Sequence, residues 1–137
     1  MDRIERHEDG SIVIVDLKTS ATVTSVADAQ EHPQLGIYQL AFEQGAFDHL
    51  PGIEQGDHLA GAKLVFISGN SAAERIQDSL ATNETKRQGF EQLVLEAVDS
   101  MALTDKVFVA NVGNHCNNDH AYGQCKIHVA QAVTYAG

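Results

Sequence analysis

DRIERHEDGSIVIVDLKT, residues 2–19, is the stretch on which the reading of the whole chain turns. Glu8-Asp9-Gly10 is a turn signal between two β-prone runs, and Ile12 to Val15 is a continuous apolar run that ends in Asp16-Leu17-Lys18. If the two runs pair antiparallel, Asp2 and Asp16 meet at one end of the hairpin. Side chains alternate along a strand, so Asp16 and Lys18 project from one face and Leu17 from the other. Two carboxylates and an ammonium then converge on a small volume. That set suits a hard divalent cation and an attacking water.

Outward from the hairpin, strand-like and helix-like segments alternate. Ser25 to His32 reads as a short helix capped by Ser25. Pro33 opens a second helix, where its missing N–H costs nothing, and Gly45 ends it after Gln44. Gln34 and Tyr38 are one helical turn apart on a shared face, and Leu35, Ile37, Leu40, Ala41 and Phe42 form a broad apolar side. Residues 46–61 read as a glycine-containing surface loop. Lys63 to Ser68 (KLVFIS) is a buried-strand signal, while Ala73 to Leu80 fits neither period cleanly. Asn83-Glu84 starts a long helix to about Ala102, with Phe90, Leu93, Val94, Ala97, Val98 and Met101 on one stripe. Lys106 to Val112 is short and extended. The expected architecture is α/β, with a core over residues 1–112 and a Cys- and His-containing tail over 113–137.

Composition limits the partners. The chain has 137 residues, 43% of them hydrophobic, which fits one ordinary domain. It has no bilayer-length apolar run and no basic-then-apolar leader, so a cytoplasmic protein with no membrane partner is expected. A formal net charge of −10 opposes tight binding of DNA by the isolated chain, because phosphate contacts come from Lys and Arg. A larger assembly supplying basic surface would remove that objection. No G-x-x-x-x-G-K-[ST] string is present, so an ATPase would lie elsewhere.

The hairpin with its two aspartates and D-L-K, followed by P-Q-L-G-I-Y-Q-L-A at residues 33–41, resembles the nuclease domain of the RecB/AddB group within the PD-(D/E)XK superfamily. The GAKLVFI strand, the AAERIQDSL segment and the cysteine-bearing tail follow in that group's order, and the closest resemblance is to its actinobacterial two-subunit form. The resemblance implies a restriction-endonuclease-like mixed sheet flanked by helices. It also implies Mg²⁺- or Mn²⁺-dependent hydrolysis of DNA phosphodiesters, within an ATP-dependent helicase–exonuclease that resects double-strand breaks for recombinational repair. The partners so implied are DNA, the helicase/ATPase domains of a parent chain and a partner subunit. Asp2 and Asp16 match the metal-binding aspartates, Lys18 the lysine of D-x-K, and Gln34 and Tyr38 the Q-x-x-x-Y motif. The backbone carbonyl of Leu17 would complete the metal's protein ligands.

Two departures from the family pattern shape the expectation. The family places a helix, an acidic or histidine ligand and a strand upstream of the first aspartate. The chain begins directly on the motif, so it reads as an N-terminally truncated fragment whose own activity is in question. Relatives also end in C-x-x-C-x-x-x-x-x-C, part of an iron–sulfur ligand set. Cys116 and Cys125 match the outer positions but Asp119 replaces the middle cysteine, so no cluster is expected. Cys116, His120, Cys125 and His128 form an alternative zinc set, with a spacing unlike the common fingers. The rival from another functional class is a degenerate, non-catalytic module for complex assembly or for guiding single-stranded DNA.

Overall fold

The opening hairpin forms as β1 (Arg3–Arg6) and β2 (Ile12–Lys18), antiparallel, with Arg3 opposite Val15 and Arg6 opposite Ile12. Gly10 takes a φ of 87° at the turn, where a side chain would be strained. The Asp9 carboxylate holds the turn by accepting from the Ser11 amide at 2.9 Å and its hydroxyl at 2.7 Å. β2 then pairs in parallel with β3 (Leu59–Phe66), and β3 pairs antiparallel with β4 (Ala73–Asp78). The result is a mixed four-stranded sheet in the order β1-β2-β3-β4. A computed structural model describes residues 1–68 and 72–102, which belong to one compact unit, Met1–Ala102. The expected extended segment 106–112, the tail and the boundary at 112/113 lie outside the described residues.

A parallel pair needs a crossover, and two helices supply it: α1 (Val26–Gln30) and α2 (Pro33–Glu43). Ser25 caps α1 as expected, its hydroxyl accepting from the Asp28 amide at 3.0 Å. Pro33 opens α2, and Gly45, with a φ of 75°, follows its C-cap Gln44. The core lies between α2 and one sheet face: Ile12, Ile14, Leu59, Ala62, Leu64 and Phe66 meet Leu35, with Tyr38 and Phe42 packed against them. Val13, Val15 and Val65 point to the opposite face.

β3 begins four residues before the expected Lys63, and Ile67-Ser68 lie beyond its end. The reason is a bulge: Ile12 partners Leu59 while Val13 partners Gly61, so Ala60 is the extra residue. Gly61 sits at a φ of 144°, and a Cβ there would stand 2.5 Å from the Gln77 carbonyl oxygen. Gly61→Ala is therefore expected to lower stability by about 2–3 kcal/mol, read as a fall in the urea midpoint at unchanged m-value.

The ambiguous segment Ala73 to Leu80 is an edge strand followed by a single 3₁₀ turn, Leu80–Thr82. Its inward positions carry Arg75 and Gln77, which disguises the alternation. α3 (Glu84–Ala102) starts where expected, the Asn83 side chain accepting from the Lys86 amide at 3.0 Å. Its apolar stripe is not a core stripe along its length. Phe90 is buried against Leu40 and Leu80, with Val94 beside them, whereas Val98 is 54% and Met101 73% exposed. α3 has 19 residues and α2 only 11, so at ~1.5 Å per residue α3 outruns its neighbour. Gly36 permits their close approach, since a Cβ there would lie 2.6 Å from the Phe90 ring. Among the described residues no helix is long and apolar enough to cross a membrane.

Candidate active site at the end of β2

β2 carries its last three residues past the end of β1, and α2 delivers its first turn to the same place. The Lys18 carbonyl accepts from the Ile67 amide at 3.0 Å on the β3 side. Backbone groups alternate in direction along a strand, so Leu17 turns its own toward the other edge, where β1 has stopped. Its N–H donates to Asp2 Oδ2 at 2.7 Å, and the Asp2 amide donates to the Val15 carbonyl at 3.1 Å. Asp2, which directly precedes the last β1–β2 pair of Arg3 with Val15, is thereby held at the same end of the hairpin as Asp16, exposed, beside the edge to which the Leu17 carbonyl points.

Asp16, only 3% exposed, follows Ile12 and Ile14 on the α2-facing side of the strand. Its Oδ1 accepts from Gln34 Nε2 at 3.1 Å. Its Oδ2 lies 2.5 Å from Lys18 Nζ, an ion contact that lacks hydrogen-bond geometry. Lys18 donates in turn to Gln34 Oε1 at 2.7 Å, and Gln34 Nε2 donates to Tyr38 Oη at 2.9 Å. An ammonium can only donate and a carboxylate can only accept, so the two ends of the Gln34 amide are assigned without ambiguity. The α-ammonium of Met1 donates to Tyr38 Oη at 2.5 Å and stands 3.6 Å from Asp16 Oδ1. The structure thus brings Asp16, Lys18, Gln34 and Tyr38 into one connected polar group, with Asp2 tethered to the adjacent backbone. Tyr38 bridges this group and the core.

His32 is a site neighbour that the sequence reading passed over. It is the N-cap of α2, two residues before Gln34, with no side-chain capping bond and a buried Nδ1 without a partner. Its place immediately before Pro33-Gln34 was the available signal. Burial, and behind it the Lys18 ammonium, hold its imidazole below the ordinary value of 6.5, against a smaller opposing pull from Asp16. The fold therefore favours neutral His32. Its contribution to stability is complete above the unfolded-chain value near 6.5 and drains away as the pH falls through the lower folded value. The stability difference between wild type and His32→Gln is expected to shift against the wild type between pH 7 and pH 5, measured by urea unfolding at each pH.

Other candidates resolve differently. The loop group His49, Asp57, His58 has no assigned role, and its carboxylate is engaged, because Arg6 clamps Asp57 through both carboxylate oxygens at 2.8 and 2.6 Å. That clamp holds the Asp57 carboxyl below the usual carboxylate range. Among the described residues no group of three or more His, Cys, Asp and Glu gathers as a metal cluster. The alternative zinc residues Cys116, His120, Cys125 and His128, and Asp119 with them, lie outside the described residues. The described cations are internally engaged: Arg3 with Glu5, Arg6 with Asp57, Lys63 with Glu5 and Glu74, Lys86 with Glu31, and Arg87 with Glu43. Arg75 donates to the Thr24 and Glu74 carbonyls.

No curated protein matches the chain at significant similarity. A protein-family description, the PD-(D/E)XK nuclease superfamily, matches residues 1–127, from the hairpin through α3 and into the tail. Members of that superfamily are nucleases that generally use divalent metals, and the mixed four-stranded sheet with its helices is consistent with their restriction-endonuclease-like α/β fold. The chain belongs to the PD-(D/E)XK nuclease superfamily.

Proposed function

We propose that this chain is a metal-dependent deoxyribonuclease module that hydrolyses DNA phosphodiesters at the end of β2. Its working context would be an ATP-driven helicase–exonuclease that processes double-strand breaks. The observation that supports the chemistry is the polar group joining Asp16, Lys18, Gln34 and Tyr38. The helicase context rests on resemblance alone, through the two motifs and their order.

The residues fit a hard cation. Asp16 is buried and its Oδ2 lacks a hydrogen bond. Asp2 keeps its second oxygen free of the Leu17 contact, and the Leu17 carbonyl points to the same edge. Mg²⁺ is commonly held by one or two carboxylates with waters and substrate phosphate filling the rest, so Asp2, Asp16 and the Leu17 carbonyl would be its protein ligands. When bound, Mg²⁺ or Mn²⁺ supplies a water of lowered pKa and neutralises charge on the phosphate. Lys18 places a fixed positive charge beside Asp16, where it would orient the attacking water and stabilise negative charge developing on the phosphoryl oxygens. Gln34 fixes the ammonium through its Oε1, and Tyr38 fixes Gln34. Arg3 and Arg6 line a groove beside Asp2 with the loop from Leu50 to Ile53, which Arg6 holds in place through the Gly52 carbonyl and Asp57.

The test is cleavage of end-labelled linear DNA by the protein with Mg²⁺ or Mn²⁺ and with a chelator. Metal-supported, chelator-sensitive release of nucleotides is the expected result. The internal pairing of the described cations favours one second reading, a non-catalytic assembly module. Absence of cleavage, both alone and in a complex that supplies basic surface, would establish that reading instead.

A further inference from the structure

The contact between Lys18 and Asp16 has a bearing on how the site accepts its metal. Asp16 Oδ1 is already an acceptor for Gln34 Nε2 at 3.1 Å, whereas Oδ2 accepts no hydrogen bond and is the less engaged oxygen. Lys18 Nζ lies 2.5 Å from that same Oδ2. At such a distance the ammonium stands where a cation bound to Oδ2 would stand. Two positive charges in one partly buried volume repel each other more strongly than they would in water. Lys18 also has somewhere else to go, since Gln34 Oε1 accepts from it at 2.7 Å and gives it a second partner when the carboxylate is taken.

We infer that the Lys18 ammonium competes with a divalent cation for Asp16 Oδ2, so that the lysine restrains metal loading as well as serving the reaction. This rests on the metal-site reading above. Metal would enter by displacing the ammonium onto Gln34. Until then Lys18 at 2.5 Å, with the Met1 ammonium at 3.6 Å, compensates the charge of the buried carboxylate. A substrate phosphate, by drawing the ammonium away from Asp16, would assist loading, which ties metal occupancy to the presence of DNA.

The competition predicts an unusual sign: removing the lysine improves metal binding while it harms catalysis. Calorimetric titration with Mn²⁺ would compare wild type, Lys18→Met, Lys18→Gln and Asp16→Asn, all carrying the same N-terminus. Lys18→Gln keeps a donor beside Asp16 and guards against a folding defect. Both Lys18 variants are expected to bind Mn²⁺ about tenfold more tightly than wild type and to show a larger Mn²⁺-induced rise in Tm. Unchanged or weaker binding in both, with binding lost in Asp16→Asn, would overturn the competition and leave the metal site standing. Equal binding by Asp16→Asn and wild type would overturn the metal site itself, and the competition with it. Absence of binding in wild type and both Lys18 variants would do the same.

Discussion

Asp16→Asn is expected to reduce metal-supported DNA cleavage by more than about 10²-fold while leaving the fold intact. Loss of residues that merely support a metal ligand typically costs ~10–100-fold, and Asp16 is argued to be a ligand itself. The substitution preserves size in a position 3% exposed, and an asparagine oxygen can still accept from Gln34 Nε2. What it removes is the negative charge that faces Lys18 at 2.5 Å. A far-ultraviolet dichroism spectrum like that of wild type, together with lost activity, would place the effect in the chemistry. Equal cleavage by wild type and variant would take Asp16 out of the reaction, and the proposed arrangement of Asp2, Lys18 and Gln34 around it would go too.

The largest expected loss of stability comes from Gln77→Leu. Gln77 is fully buried, and its Nε2 faces the carbonyls of Ala29, Gln30 and His32 at 3.2, 3.1 and 3.1 Å. An amide nitrogen has two hydrogens, so these contacts are shared. Its Oε1 accepts from Gln39 Nε2 at 2.9 Å, and Gln39 Oε1 accepts from the Leu80 amide at 3.0 Å. The network ties the end of α1, the start of α2 and the end of β4 together. A leucine fills the space but removes these bonds at about 0.5–1.5 kcal/mol each, the Ala29, Gln30 and His32 carbonyls keeping the His32 amide, Lys86 Nζ and the Gly36 amide as donors and Gln39 Nε2 keeping the Asp78 carbonyl. A loss of about 3 kcal/mol or more is expected, a large part of a typical domain's 5–15 kcal/mol. Gln88→Ala, which removes an exposed contact to Glu84, is the control and should change stability by less than ~0.5 kcal/mol. A measured loss below ~1 kcal/mol for Gln77→Leu would mean that water or repacking satisfies the network. Because the His32 carbonyl is one of the clamped groups, the same variant should also loosen Gln34 against Lys18.

The elements written in local chemistry were legible from the sequence. The turn at Glu8-Asp9-Gly10, the Ser25 and Asn83 caps and Pro33 at a helix start each act within a few residues, so their signals survive without the rest of the fold. The period of two likewise placed Asp16 and Lys18 on one face and Leu17 on the other. The edge strand β4 was hidden because its inward positions are filled by Arg75 and Gln77, whose partners come from Thr24, α1 and α2. The bulge at Gly61 was hidden because it is a property of a pair of strands. The stripe on α3 misled because periodicity reports a face and says nothing of what covers it.

The sequence by itself determined which residue types could meet at the hairpin's open end, because alternation and turn chemistry are short-range. Tertiary structure alone decided that Gln34 would reach 18 and 16 residues back to join Asp16 and Lys18, and that His32 would lie in their field. That choice depends on where the crossover sets α2 down on the sheet. The setting is fixed by long-range burial of Leu35 against Ile12 and Ile14 and by the Gln77 clamp on the helix entry, contacts that no local pattern encodes.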